Sequence, residues 1–264
     1  MQVDKTKIQA HRGASGLFPE NTMLAFRQAH AAGALSIETD LSPLMDGAFA
    51  IFHDNHLGRT TGGPTREDTD DTFRDVSGTD ITGTDITGTD ITSLGSSDLL
   101  SLEVGSWKDA AFADERIPLL NEVLDWQAET GMFFNWEMKC HDADPAAAAA
   151  ALARHLSGRD LARSMVSSFA PEFIEAAMIA LPDLPRALIS DAVPQGWRDI
   201  GTAMQLEAFH LNFQVITPDL VAAMHEAGFK VRVYTVNERD DMNAMLEAGI
   251  DTVITDYPER WISA

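Results

Sequence analysis

Basic residues are scarce in this chain: 19 Lys and Arg stand against 41 Asp and Glu, a formal net charge of −22. A field of that sign repels DNA, RNA and anionic membrane surfaces, so neither nucleic acid nor a stable membrane association is expected. A small anionic ligand would need local positive charge, from a few Arg and Lys side chains or from a bound cation. Cys140 is the single cysteine, which excludes an internal disulfide; beside Lys139 it reads as a space-filling residue rather than a reactive thiol. No apolar run approaches the roughly eighteen residues of a membrane span, and MQVDKTKIQAHRG lacks the apolar core of a secretion signal. The cytoplasm is the expected compartment.

What is present is ordinary globular material, 264 residues of which 45% are hydrophobic and 23% charged, enough for one full core and a single domain over 1–264. Short β-like runs alternate with helical patterns. KIQAHR, ALSIETDL, MFFNWEMK, MVSSF, RALIS, AFHLN, KVRVYTV and TVITD read as strands; ENTMLAFRQAHAAG, PDLVAAMHEAG, ERDDMNAMLEAG and stretches from Pro145 and Pro171 read as helices. About eight βα units predict a closed (β/α)₈ barrel of TIM type. Gly33, Gly228 and Gly249 stand where helices end, and Pro218 with Asp219 suits a helix start. A doubly wound sheet would carry a glycine-rich phosphate loop after its first strand, and GASG after His11 lacks that spacing.

The alternation breaks from Thr60 to Ser106, which predicts an insertion after the second βα region. Within it RDVSG, TDITG, TDITG and TDITS run in register from Arg74 to Ser93, similar to a pentapeptide repeat. One coil of such a repeat has no neighbour to stack on, so a duplicated polar surface loop is the simpler account. Calcium binding by its aspartates has no EF-hand spacing behind it.

Strand alternation locates the chemistry. Glu38 and Asp40 in SIETDL share one face, and Asn135, Glu137 and Lys139 in FFNWEMK share another, opposite the apolar Phe134, Trp136 and Met138. A Glu-x-Asp pair alone is ordinarily a solvated edge. If Glu38, Asp40 and Glu137 converge inside a barrel mouth, however, their mutual repulsion and desolvation cost on the order of several kcal/mol per uncompensated charge. One divalent cation resolves that cost, and an all-oxygen set suits Mg²⁺ or Ca²⁺, with Mn²⁺ a third candidate. His11 and His53 each end a β-like run. With an imidazole pKa of about 6.5, such a pair can serve as general base and general acid at phosphorus. His30, His141, His155, His210 and His225 are read as core or surface residues, and His56 has no defined role.

Taken in order, HRGASGLFPENTMLAF, IETDLSPLMDGAFAIFHD, NWEMK, SSFAPEFI, YTVN and ITDYP resemble the glycerophosphodiester phosphodiesterase family over nearly the whole chain. The departures are the longer 60–106 segment and Tyr234, where the family commonly carries Trp. The resemblance implies a metal-dependent hydrolase releasing glycerol 3-phosphate and an alcohol, with His11 and His53 as the acid/base pair and Glu38, Asp40 and Glu137 as metal ligands. It further implies that Arg12 and Lys139 hold phosphate. Phe169, Tyr234 and Asn237, after later strands, are expected to line the pocket for the glycerol or the alcohol. Asn21 fits a helix N-cap that also braces the His11 loop.

Two sources of the attacking oxygen fit this reading, water and the substrate's own glycerol hydroxyl. Two alternatives remain open at this point: a lysophospholipase D-like or sphingomyelinase D-like activity on the same barrel, and a barrel that binds phosphate ligands without turnover.

Overall fold

The computed structural model describes residues 3–61 and 88–262. Strand β1 (Ile8–His11) leads through helix α1 (Met23–Ala31) to β2 (Ser36–Pro43), on which the short β3 (Phe49–Ile51) folds back antiparallel, Leu41 opposite Ile51. Helix α2 (Leu120–Thr130) then enters β4 (Phe133–Met138). From there the alternation is regular: α3 (Pro145–Leu156), β5 (Ser164–Ser168), α4 (Pro171–Ala180), β6 (Arg186–Ser190), α5 (Trp197–Ala203), β7 (Ala208–Asn212), α6 (Pro218–Glu226), β8 (Lys230–Tyr234), α7 (Arg239–Glu247) and β9 (Thr252–Thr255). All strands but β3 pair in parallel, and β1 closes the ring by pairing with both neighbours, Ala10 opposite Ile37 on β2 and opposite Thr255 on β9. The result is the expected (β/α)₈ barrel.

Local chemistry sets these elements. Thr22 starts α1 by accepting from the Ala25 amide at 3.2 Å, and the helix then buries Met23, Ala25, Phe26 and Ala29 at helical spacing. Asp144 caps α3 through the Ala147 amide at 2.7 Å, with Pro145 in the first turn, where its missing N–H costs nothing. Outward strand residues such as Ile37, Leu41, Phe134, Trp136, Val166 and Phe209 join the helices in the main core. Phe134 and Trp136 stack with ring centroids 4.5 Å apart. Inside the ring, Phe133, Met165, Ala187 and Ala208, all near the starts of their strands, form an apolar plug. The polar interior positions above it face the other end.

The inserted region lies within the second βα unit, between β2 and α2. Its described part is built from short 3₁₀ turns around a separate apolar cluster that includes Leu44, Phe52, Leu57, Ile91, Leu99, Leu102, Val104 and Ile117. Residues just after β2 and β3, Leu44 and Phe52 among them, pack into the same cluster. Residues 74–87 of the repeat lie outside the described residues. In its last unit, Asp90 accepts from the Thr92 amide at 2.8 Å, and Ile91 is fully buried. Among the described residues, no helix is long and apolar enough to cross a membrane.

Candidate active site

Three carboxylates meet where β2 and β4 end. Glu38 and Asp40 occupy alternate positions of β2 and Glu137 lies across from Asp40, so the sheet register itself gathers them. One oxygen from each lies within 4.8 Å of the others, and all three residues are buried. Their charges do not balance. Burial and the repulsion of Asp40 and Glu137 hold the Glu38 carboxyl well above its ordinary range. Burial would do the same to Asp40, but Arg12 and Lys139 override it and drive that group far below. Glu38 Oε1 is buried without a hydrogen-bond partner, and Asp40 Oδ1 makes no hydrogen bond beyond its ion pair with Lys139 at 3.3 Å. Undersatisfied hard oxygens around one point fit a divalent cation, which would satisfy them and allow all three groups to ionise.

His11 ends β1, directly across from Glu38, with its Nε2 3.8 Å from Glu38 Oε2. Its Nδ1 lies 2.6 Å from Asp256 Oδ1. Asp256 follows β9, the strand that closes the ring onto β1, and is held in turn by Ser15 Oγ at 2.9 Å and Asn237 Nδ2 at 2.7 Å. Burial would raise the Asp256 pKa, yet the bonds from His11, Asn237 and Ser15 keep it well below the usual carboxylate range. His53 repeats the device with its neighbour in sequence, Nδ1 to Asp54 Oδ1 at 2.7 Å. A carboxylate accepting at Nδ1 places the neutral ring's proton there and leaves the Nε2 lone pair free. Sequence reasoning missed both partners. Asp256 sits inside the ITDYP block, but nothing in its spacing links it to His11.

The cations are immobilised by the same acids. Arg12 Nε lies 3.0 Å from Asp40 Oδ2 and its Nη1 donates to Glu20 Oε1 at 2.8 Å. Lys139 Nζ donates to Glu137 Oε1 and lies 3.3 Å from Asp40 Oδ1. Arg59 was not anticipated. It forks between Glu20 (2.7 and 3.0 Å) and Asp54 (2.8 and 2.9 Å), so a chain of charges runs from Arg12 to the carboxylate behind His53.

The loop after β1 takes a conformation few residues tolerate, with Arg12 at φ 53 and Gly13 at φ 85. A Cβ on Gly13 would come within 2.7 Å of the Ala25 backbone, so the close approach to α1 requires glycine. Asn21 is not the N-cap expected of it, because Thr22 performs that task. At φ 57, Asn21 instead donates from Nδ2 to Asp40 Oδ2 at 2.7 Å and accepts from Thr39 Oγ1 at 2.8 Å. Its amide also bonds the Arg12 carbonyl at 3.1 Å, so it does brace the His11 loop.

A cavity of about 170 Å³ opens here, lined by His11, Arg12, Glu38, His53, Glu137 and Lys139, with Asn135, Ile189, His210, Ile254, Thr235, Phe169 and Tyr234 also bordering it. Phe169 and Tyr234 meet edge to face at 6.0 Å; Phe169 is 45% exposed and the Tyr234 hydroxyl donates to Asp191 at 3.1 Å. Asn237, expected to line the pocket, stands behind Asp256 instead. Of the histidines read as structural, His225 pairs with Asp251 at 2.8 Å and His155 bonds Asn121 at 3.1 Å. His210 differs from them: it is buried and borders the cavity. Cys140 is half-buried against the core, and burial pushes its thiol up to about 11, as befits an inert packing residue.

Two carboxylate-backed histidines, converging carboxylates and paired cations at the carboxyl ends of a parallel barrel place the chain in the class of (β/α)₈ enzymes. A sequence model of the glycerophosphoryl diester phosphodiesterase family matches residues 11–260, and the chain belongs to that family. It is 32% identical to the Bacillus subtilis protein YqiK, over 97% of this chain and 96% of that one. It is 29% identical to a glycerophosphodiester phosphodiesterase of Caldanaerobacter subterraneus, over 98% and 97%. The structure of an Oleispira antarctica phosphodiesterase in complex with the product sn-glycerol-3-phosphate superimposes with a TM-score of 0.83 at 27% identity, covering 97% of this chain and 94% of that one.

Proposed function

We propose that this protein hydrolyses glycerophosphodiesters to glycerol 3-phosphate and an alcohol, using a divalent cation held by Glu38, Asp40 and Glu137. The observation that carries the proposal is the meeting of two carboxylate-backed histidines, three acids and two fixed cations around one cavity. When bound, the cation would supply Lewis-acid polarisation of the phosphoryl group. Arg12 and Lys139 add charge-assisted hydrogen bonds to the phosphate oxygens and locally reverse the negative field of the protein.

One histidine takes the proton of the attacking oxygen through Nε2 as the new P–O bond forms. The other gives a proton to the alcohol oxygen as its P–O bond breaks. Asp256 and Asp54 hold the two rings in the tautomer this exchange needs and stabilise each imidazolium in turn. Phe169 and Tyr234 border the space for the alcohol, and Phe169 gives an aromatic face to Lys139 Nζ, 5.6 Å from its centre. Mg²⁺ or Ca²⁺ is favoured by the all-oxygen donor set, with Mn²⁺ the third candidate.

The test is to strip metal from the pure protein and assay glycerol 3-phosphate release from several glycerophosphodiesters with each ion restored. Release only after restoration is the expected result. Undiminished release in a chelator, or none with any of the three ions, would refute the proposal.

A further inference from the structure

The loop between β1 and α1, which carries Arg12, is gripped from outside the barrel. Shortly before α2, residues 103–116 fold into a compact turn whose base is closed where Glu103 pairs antiparallel with Arg116. Glu103 accepts from the amides of Gly105 and Ser106 at 2.8 and 2.9 Å, and the Trp107 indole donates to the Val104 carbonyl at 2.9 Å. A Cβ on Gly105 would collide with the Phe112 carbonyl, so the turn closes this tightly only with glycine. Two of its side chains reach the loop. Phe112 meets Phe18 with ring centroids 5.9 Å apart, and Lys108 Nζ donates to the Ser15 carbonyl across 93 residues of sequence.

A neutral donor would tether the loop at less cost. Lys108 is half-buried, with Nζ 5.5 Å from the centre of the Trp107 ring. Burial draws its pKa down and Glu20 and Asp256 offset only part of that, so both acids stand close enough to act on the ammonium. Asp256 is the carboxylate behind His11. The Ser15–Gly16 peptide lies between the two groups: its carbonyl accepts from Lys108, and its N–H donates to the Asp256 carbonyl at 2.8 Å. Ser15 Oγ then donates at 2.9 Å to Asp256 Oδ1, the same oxygen that lies 2.6 Å from His11 Nδ1. Fixing the peptide plane fixes the hydroxyl, and the hydroxyl steadies the oxygen that orients the imidazole. Arg59 stands behind Asp54 and His53 in a similar way, so each histidine-bound carboxylate has a cation near it that belongs to no barrel strand.

We infer that Lys108 is a positioning residue for His11: from the inserted region it pins the Ser15–Gly16 peptide, and through the Ser15 hydroxyl and Asp256 it holds the imidazole with its proton on Nδ1. This gives the inserted region a part in the reaction without any contact to substrate, and it rests on the glycerophosphodiester activity proposed above.

The experiment compares the metal-loaded wild type with Lys108→Met, Lys108→Arg and Ser15→Ala, and with Lys108→Met in an Asp256→Asn background. Two readouts are taken: steady-state release of glycerol 3-phosphate, and the imidazole ¹⁵N spectrum at about pH 8, with the His11 signals assigned by their loss in His11→Gln. Lys108→Met should lower kcat about tenfold with KM changed less than about twofold, and Lys108→Arg, which keeps a charged donor, should stay within about threefold of wild type. Ser15→Ala should cost about as much as Lys108→Met, and Lys108→Met should cost nothing further in the Asp256→Asn background. In the spectrum, wild type and Lys108→Arg should hold His11 as the Nδ1–H tautomer, whereas Lys108→Met should shift it toward Nε2–H; the other histidine signals, unmoved, report an intact fold. In an active protein, an unchanged kcat in Lys108→Met, an unchanged His11 spectrum, or an equal loss with and without the Asp256 carboxylate would overturn the inference and leave Lys108 a tether of the loop. Wild type that releases no glycerol 3-phosphate while the tautomer still responds to Lys108→Met defeats the proposed activity alone. A protein that shows neither turnover nor a tautomer response defeats both.

Discussion

Replacing Glu38 by Gln separates the electrostatics of the acidic cluster from its shape. The substitution is nearly isosteric and removes one of three charges whose oxygens lie within 4.8 Å of one another. At an effective dielectric of ~20, two like charges at that spacing repel by about 3–4 kcal/mol. Glu38 faces two such neighbours, while Arg12 and Lys139 return part of the loss as attraction. The net cost of ionising it without a cation is therefore on the order of 1–3 kcal/mol. Because its folded pKa lies above the usual 4.5, Glu38 favours the native state fully below that value, and the contribution is lost as pH rises through the folded pKa. Chains of this size shift Tm by about 2–4 °C per kcal/mol. Metal-free Glu38→Gln is thus expected to melt roughly 2–12 °C above metal-free wild type at about pH 8, and close to it below about pH 5. A cation at ~100 times its Kd adds about 2.7 kcal/mol to wild type, and most of that gain should vanish in the variant. Scanning calorimetry on chelator-treated protein, with and without each ion, reads both effects. A variant that melts below metal-free wild type at the higher pH, or that gains as much from the ion, would refute the reasoning.

Three further outcomes follow from the same geometry. His11→Ala and His53→Ala should each lower turnover by at least about a hundredfold while leaving the metal-induced rise in Tm intact; full activity in either would break the pairing. Asp256→Asn should lower kcat by about 10²–10⁴ with KM little changed, since an amide at Oδ1 no longer fixes the His11 tautomer; a loss confined to KM would instead assign Asp256 to substrate binding. Burial would raise Glu20, but Arg59 and Arg12 hold it at about 2, so it stabilises the fold above its usual 4.5 and that stability is lost as pH falls toward 2. Glu20→Gln should therefore cost up to about 3 kcal/mol near neutrality in urea melts and flatten their acid dependence between about pH 4 and 2; an unchanged acid limb would show that the Arg12–Glu20–Arg59 chain contributes nothing.

The parallel barrel was legible because period and punctuation repeat along the chain: an alternating run, a helix start such as Pro145 or Pro218, a helix, and in several units a closing glycine such as Gly228 or Gly249. Glu38 and Asp40 were legible for the same reason, since alternation puts them on one face of β2. The acids behind the histidines were not. Asp256 reaches His11 only because the ring closes, across a separation of 245 residues that no local pattern encodes. Asn21 was misread because one local rule fits two adjacent residues: Thr22 and Asn21 are both good N-caps, and only the positive φ at Asn21 decides which one turns inward toward Asp40. The structure within the insertion was not legible because its short 3₁₀ turns carry no steady hydrophobic period.

A protein of net charge −22 can host an anion only if its site is electrostatically separate from its surface. The separation here comes from pairing rather than from excess. Arg12 and Lys139 are held by Asp40, Glu20 and Glu137, so the fixed cations alone leave the cavity acidic. Phosphate affinity then depends on what is added to that cluster, and a divalent ion among Glu38, Asp40 and Glu137 would cancel the remaining excess of negative charge. Phosphate binding without metal should accordingly be weak even though both cations are in place, and calorimetric titration of inorganic phosphate into chelator-treated protein reads this directly. Tight binding there would mean that Arg12 and Lys139 suffice, and the acidic cluster would need another explanation.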